Sequence, residues 1–140
     1  MPGIRLATAV LALTIALPAL AQDAEGNPPM EFDTYWMVFL VRGDDPPQLD
    51  ATASAELQRK HLAHLSKVYK EGYSLVAGPF EVPDDDPVRG IVLYRGDLER
   101  ERVVELASAD PAVVAGRLKV EVKKWWTPAG AMSFPQAPKE

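Results

Sequence analysis

The sequence predicts an α+β domain in which helices cover one face of a single antiparallel sheet. Three observations predict this class: runs of β-branched and aromatic residues typical of strands, two longer segments with helical periodicity between them, and Gly or Pro at most junctions. In chain order the segments are strand, helix, strand, strand, helix and strand. No segment repeats another, so the pattern describes one domain rather than an array.

The first strand and the first helix are the most clearly defined elements. Residues 35–41 form a continuous β-branched and aromatic run, typical of a central strand. After the Gly- and Pro-containing loop 42–47, a helix is expected from near residue 51 to residue 70, ended by Gly72. Its buried face consists of residues spaced at i, i+4, i+8 and i+11, namely Leu57, His61, Leu65 and Val68.

Two further strands and a second helix follow. Residues 73–77 are predicted to form the second strand, closed by a Gly-Pro pair, and residues 90–94 form the third. Asp97 is expected to be the N-cap of the second helix, which continues to Ala107. Acidic residues in its first turn favour the helix dipole.

The last predicted elements are one helical turn over residues 111–115, ended by Gly116, and a half-exposed strand over residues 118–123. The order βαββαβ is that of the ferredoxin-like sandwich. One face of such a sheet lacks a cover, yet the first strand is apolar on both faces. We therefore expect a C2 homodimer that pairs two sheets face to face, an arrangement of the dimeric α/β-barrel type.

The N-terminal segment predicts export. Arg5 precedes the apolar run 6–17, Pro18 breaks it, and small residues at Ala19 and Ala21 match a signal-peptidase site. We expect cleavage after Ala21 and a periplasmic or secreted product; the alternative is a retained N-terminal anchor. The predicted organisation is a signal peptide (1–21), a linker (22–33), one domain (34–128) and a Pro-rich tail (129–140).

Composition excludes several classes of partner. The formal net charge is −5, and no basic stripe is present, which argues against nucleic acid and anionic membranes as partners. The chain has no Cys, so an exported form is stabilised by packing and dimerisation rather than by disulfides. Its length suits one domain with a core of its own.

His61 is the strongest candidate for a chemical role. It occupies the apolar row of the first helix, where burial of an imidazole costs free energy unless its nitrogens are bonded. An imidazole titrates near neutrality, so a partner carboxylate could make it a general acid or base. The alternative is a core histidine with satisfied nitrogens.

Asp110 is the candidate partner of His61, although the role of an N-cap alone would also explain this residue. Because Pro111 disfavours helical geometry at the preceding residue, Asp110 marks a break in the chain. It is also a good N-cap for the turn that follows. Both roles are compatible, since a capping carboxylate can keep its second oxygen free.

The expected pocket walls are Gly78 and Pro79, with aromatic walls from Tyr35 or Phe80. A glycine permits close approach of a ligand to the backbone, although a tight turn explains the Gly-Pro pair without any function. His64 follows His61 at i+3 and can share its face of the helix, so it is included among the expected substrate-binding residues; the alternative is a position at the surface.

A metal site is not predicted. Zinc would need a third ligand besides the two histidines, and the chain has no Cys and no third His. The acidic run 84–86 lacks the spaced ligands and the Gly of a calcium loop, so it is interpreted as a solvated loop. No cofactor is predicted either.

Three spaced signatures connect these residues: His61-Leu62-Ala63-His64-Leu65, Ala77-Gly78-Pro79, and Ala109-Asp110-Pro111 before Val113-Val114-Ala115-Gly116. Together they resemble the YCII-related family of dimeric ferredoxin-like proteins, over about residues 35–126. The resemblance implies a His/Asp-centred site at His61 and Asp110, and it implies the dimer. Family activity includes elimination on chlorinated aromatics.

Two functions remain open at this point. The first is a cofactor-free enzyme that uses His61 and Asp110 for proton transfer, as an isomerase or a lyase of the dehydrochlorinase type. The second is a non-catalytic small-molecule-binding or accessory domain of the periplasm.

Overall fold

The computed structural model describes residue 26 and residues 29–135, and Glu31–Glu140 belong to one compact unit. Its elements in chain order are β1 (Phe32–Arg42), α1 (Ala51–Lys70), β2 (Ser74–Pro79), β3 (Val88–Arg95), α2 (Arg100–Ser108), α3 (Pro111–Val114) and β4 (Leu118–Pro128). The four strands form one antiparallel sheet in the order β2-β3-β1-β4. The predicted α+β, ferredoxin-like arrangement is confirmed.

The two inner strands carry the core. Val38 of β1 is opposite Val92 of β3 and Val122 of β4, so the same parity on three strands faces the helices. The alternation of inward and outward side chains follows from the two-residue period of a strand. The buried hydrophobic core is formed by side chains from the sheet and from the helices, namely Val38, Leu40, Val68, Val92, Tyr94, Val103, Leu106 and Ala107.

Helix α1 has the bounds that its sequence predicts. Asp50 is the N-cap, and its carboxylate accepts a hydrogen bond from the main-chain N–H of Ala53 at 2.8 Å. Gly72 follows the helix with a φ of +78°, a left-handed conformation that favours glycine. His61 and Val68 are buried, as the periodicity predicts.

The predicted start of α2 is wrong. The N-cap is Glu99, which makes no side-chain capping bond, and the helix begins at Arg100. Asp97 instead receives a hydrogen bond at 3.0 Å from Nε of Arg95, and this bond, opposed by some burial, lowers the pKa of Asp97. A planar guanidinium that can bind a carboxylate at two points competes successfully with the capping role.

Strands β1 and β4 are longer than predicted, and the described part of the tail folds back on the sheet. Gly130, at φ +74°, turns the chain and donates its N–H to Asp33 at 2.8 Å. Phe134 then packs edge-on against Tyr35, with ring centroids 5.6 Å apart. Part of the face opposite the helices is thus covered by the chain itself.

Several predictions fall outside the described residues. The signal peptide with its cleavage site after Ala21, half of the linker and residues 136–140 are among them. Within the part of the chain that is described, no helix is both long and apolar enough to cross a membrane.

Candidate functional site

A cavity of about 720 Å³ lies between α1 and the sheet. Helix α1 contributes His61 and β2 contributes Gly78 and Pro79. Most of the remaining wall is aliphatic, formed by Leu40, Leu57, Leu62, Leu65, Ile91 and Leu118. A concave, mostly apolar space with a few convergent polar groups is the usual form of a small-molecule site.

His61 and Asp110 meet beside this cavity. Nδ1 of His61 lies 2.7 Å from Oδ2 of Asp110, and the two residues expose only 8% and 2% of their surface. The chain brings them together across 49 positions because α3 packs against α1. A carboxylate this deeply buried requires hydrogen bonds to offset its desolvation.

The second oxygen of Asp110 caps the next helix. Oδ1 accepts the main-chain N–H of Ala112 at 2.8 Å, and Pro111 occupies the first helical position. A proline has no N–H to satisfy there, so the carboxylate serves the following donor. Asp110 therefore performs both roles that the sequence allows.

This geometry selects one tautomer of His61. A carboxylate accepts hydrogen bonds, so Nδ1 of His61 carries the hydrogen and Nε2 holds the free electron pair in the neutral ring. His61 lines the cavity, and its Nε2 has no hydrogen-bond partner among residues 29–135. Such a ring nitrogen can take a proton from a bound molecule.

Tyr94 lies in the core close to this pair. Burial raises the pKa of its phenol to about 12, and the negative charge of Asp110 adds to the shift. The phenol therefore stays neutral at physiological pH. A neutral phenol places no second negative charge near Asp110.

Comparison with protein families then decides the affiliation: the YCII-related domain matches residues 37–126. This chain belongs to the YCII-related family. The predicted resemblance over about residues 35–126 is confirmed.

Among solved structures, the YCII-related domain is similar to 5-chloro-2-hydroxyhydroquinone dehydrochlorinase (TftG) from Burkholderia phenoliruptrix AC1100 in complex with 2,5-dihydroxybenzoquinone. The identity is 21%, the coverage is 65% of this chain and 92% of that chain, and the TM-score is 0.45. A comparison with curated proteins gives no significant match.

The glycines around the cavity of the YCII-related domain differ in what they tolerate. A Cβ at Gly78 would meet no atom within 4 Å, so the space beside it is open. A Cβ at Gly90 would lie 2.5 Å from the main-chain oxygen of Gly78. Gly90 thus permits the close approach of β3 to β2, a constraint that the sequence did not reveal.

Three of the predicted binding residues do not line the cavity. Nε2 of His64 lies 3.0 Å from the main-chain oxygen of Leu106, and this contact connects α1 to α2. Tyr35 lies on the face of β1 that is turned away from the helices. Its ring packs there against that of Trp125, with the centroids 6.0 Å apart. Phe80 follows the end of β2 and is 42% exposed. The expected aromatic walls are replaced by aliphatic ones.

Sequence reasoning missed the charged rim of the cavity. Arg42, Arg89 and Arg117 line it, together with Asp84 of the acidic loop. Nη2 of Arg42 and Nη2 of Arg89 both donate to the main-chain oxygen of Asp84, the latter at 2.7 Å. Each arginine lies at or next to the end of a strand. Combined with the strand order, this pattern indicates a cluster of positive charge at one end of the sheet.

The described residues of the YCII-related domain contain no group of three or more His, Cys, Asp and Glu side chains arranged to hold a metal ion. His64, the residue that could have joined His61 in such a group, is engaged with the main chain of α2.

Proposed function

We propose that this YCII-related protein is a cofactor-free small-molecule enzyme in which His61 transfers protons and Asp110 orients it. The observation that carries the proposal is the pair at 2.7 Å, with one ring nitrogen of His61 bonded and the residue itself at a cavity wall. Asp110 stabilises the imidazolium that forms when His61 takes a proton.

The proposed reaction is an isomerisation or an elimination. Nε2 of His61 removes a proton from an acidic C–H or O–H group of the substrate, and the electron pair left behind forms a double bond. In an isomerisation the imidazolium returns the proton to another atom; in an elimination a leaving group such as chloride departs with its electron pair. A positioned acid–base group contributes about 10²–10⁴-fold in rate, or about 3–5 kcal/mol of barrier.

The proposal includes the cellular setting and the assembly. The signal segment supports export to the periplasm or beyond, with cleavage after Ala21. Met37 and Phe39 lie on the face of β1 opposite the core residue Val38 and are only half-buried within one chain, which supports a homodimer through that face.

A binding function is the second candidate, and the low exposure of His61 favours it. Only 8% of that residue is accessible in a cavity with largely aliphatic walls. A ligand could fill such a space without any chemistry. An exported binding or accessory domain would need no more than this.

Proton exchange in D₂O tests the enzyme proposal. The mature chain is incubated with a panel of hydroxylated and chlorinated aromatic acids and phenols, and NMR follows C–H loss and product formation. We expect turnover or exchange with at least one compound, abolished by His61→Asn. Compounds that bind without exchange or turnover would establish the binding function instead.

A further inference from the structure

Three arginines meet at one end of the sheet, beside the proposed proton-transfer site. In the register of β1 and β4, Arg42 is opposite Leu118, the residue after Arg117. In the register of β1 and β3, Val41 is opposite Val88, the residue before Arg89. Strand pairing therefore gathers side chains that are up to 75 positions apart into the wall of one cavity.

An irregularity in β3 places Arg89 there. Leu40 pairs with Gly90 and Val41 pairs with Val88, so Arg89 is left without a partner on β1. Its main-chain oxygen instead accepts the N–H of Phe80 at 2.8 Å. An extra residue of this kind redirects a side chain and is common next to binding sites.

The cavity arginines differ in their partners from every other arginine among residues 29–135 except Arg100, which is exposed and also lacks an ion pair. Arg59, Arg95 and Arg102 each form an ion pair with a carboxylate. Among residues 29–135, no carboxylate pairs with the arginines of the cavity, Arg42, Arg89 and Arg117. They lie in a protein whose formal net charge is −5, so carboxylates were available.

The hydrogen bonds of Arg42 and Arg89 make the lack of a carboxylate partner informative. Both guanidinium groups donate to the single main-chain oxygen of Asp84, so two positive charges are held next to each other. A neutral oxygen does not cancel their repulsion. The cavity lining offers only the side chain of Asp84 as a negative charge against three arginines.

We propose that the cavity binds a small organic carboxylate whose charged group is held by Arg42, Arg89 and Arg117 and whose apolar body lies against the leucines. The proposal rests on the proposed function in that it assigns the substrate class of the same site. Guanidinium groups bind carboxylates through paired hydrogen bonds. The body of the ligand then extends towards Nε2 of His61.

Calorimetry with benzoate, its neutral isostere benzamide and phenyl phosphate tests the proposal on the mature protein. We expect benzoate to bind at least about tenfold more tightly than benzamide and more weakly at higher salt. Arg89→Gln and Arg42→Gln should each weaken benzoate about tenfold or more while leaving benzamide unchanged. Arg100→Gln, an exposed arginine outside the cavity, should change neither.

Three results would overturn the proposal: no difference between benzoate and benzamide, benzoate affinity unaffected by Arg89→Gln, or phenyl phosphate as the tighter ligand. Benzoate needs no turnover to bind, so these results concern the arginines alone. Loss of proton exchange in His61→Asn, with benzoate affinity retained, tests the proton-transfer function separately. Circular dichroism of each variant establishes that the fold is intact.

Discussion

One carboxylate oxygen of Asp110 lies 2.7 Å from Nδ1 of His61, while the other accepts the main-chain N–H of Ala112 at 2.8 Å. The group that orients the histidine is thus also the N-cap of α3. Because both oxygens are engaged, Asp110 has one well-defined orientation. The candidate site depends on the integrity of a helix of only four residues.

Asp110→Asn should invert the tautomer of His61. The asparagine oxygen can keep the cap on Ala112, which leaves its NH₂ group facing Nδ1 as a donor. The proton of the neutral ring then moves to Nε2, and a base at the cavity wall is lost. Long-range ¹⁵N NMR of the two histidines measures this directly. Asp50→Asn, at the cap of α1, is the matched control and should leave both rings unchanged; an unaltered His61 in Asp110→Asn would contradict the pairing.

Asp110→Ala should destabilise the fold by about 2–4 kcal/mol. The loss of a cap costs about 1 kcal/mol, and a buried imidazole donor left without a partner costs about 1–3 kcal/mol more. Asp50→Ala removes only an exposed cap, so about 1 kcal/mol is expected. Urea unfolding of both variants gives the comparison. Equal losses in the two would mean that the bond to His61 contributes nothing to stability.

Stability should fall between pH 10 and pH 12 because of Tyr94. The folded protein keeps the phenol proton up to a pKa of about 12, whereas the unfolded chain releases it near 10. The folded state therefore binds more protons in this window, and the free energy of unfolding decreases as the pH rises. Two pKa units correspond to about 2–3 kcal/mol. Tyr94→Phe should flatten this part of the profile; an unchanged slope in that variant would assign it to other groups.

Gly90→Ala should destabilise the sheet, and Gly78→Ala should not. The added Cβ at Gly90 would lie 2.5 Å from the main-chain oxygen of Gly78, and backbone atoms cannot move aside without disturbing the pairing of β2 with β3. We expect a loss of about 1–3 kcal/mol, as for other overpacked sites. At Gly78 the same methyl group meets nothing. Thermal unfolding of the two variants separates them, and equal behaviour would refute the steric explanation.

Size-exclusion chromatography with light scattering should show the mature chain as a dimer at micromolar concentration. Phe39→Asp places a charge on the half-buried face opposite the helices and should give a folded monomer. Val114→Asp, at a residue 75% exposed on α3, should leave the dimer intact. A monomeric wild-type chain would refute the assembly.

The fold could be predicted from local signals because each of them has a local cause. The periodicity around His61, the left-handed Gly72 and the Asp-Pro step at Asp110 are all properties of a few neighbouring residues. Such signals indicate the element order and the bounds of α1 without reference to any tertiary contact. Local signals leave a partner of His61 and a simple N-cap as two interpretations of Asp110, and only the family resemblance favours the first.

The remaining features depend on competition or on pairing that is distant in sequence. Asp97 had a good capping context but binds Arg95. Arg89 is unpaired because of the register between β1 and β3. The sequence of one strand alone does not determine that register. Tyr35 was expected to be a pocket wall, yet strand parity turns it to the other face.

The atom that holds Arg42 and Arg89 in place is a carbonyl oxygen of the chain, not a side chain. Substitution of Asp84 changes the charge of the cavity rim but leaves this acceptor where it is. Insertions or deletions between β2 and β3 would instead move the carbonyl and release both guanidinium groups. The length of this loop therefore sets where both guanidinium groups lie, while the side chain of Asp84 sets only the charge beside them.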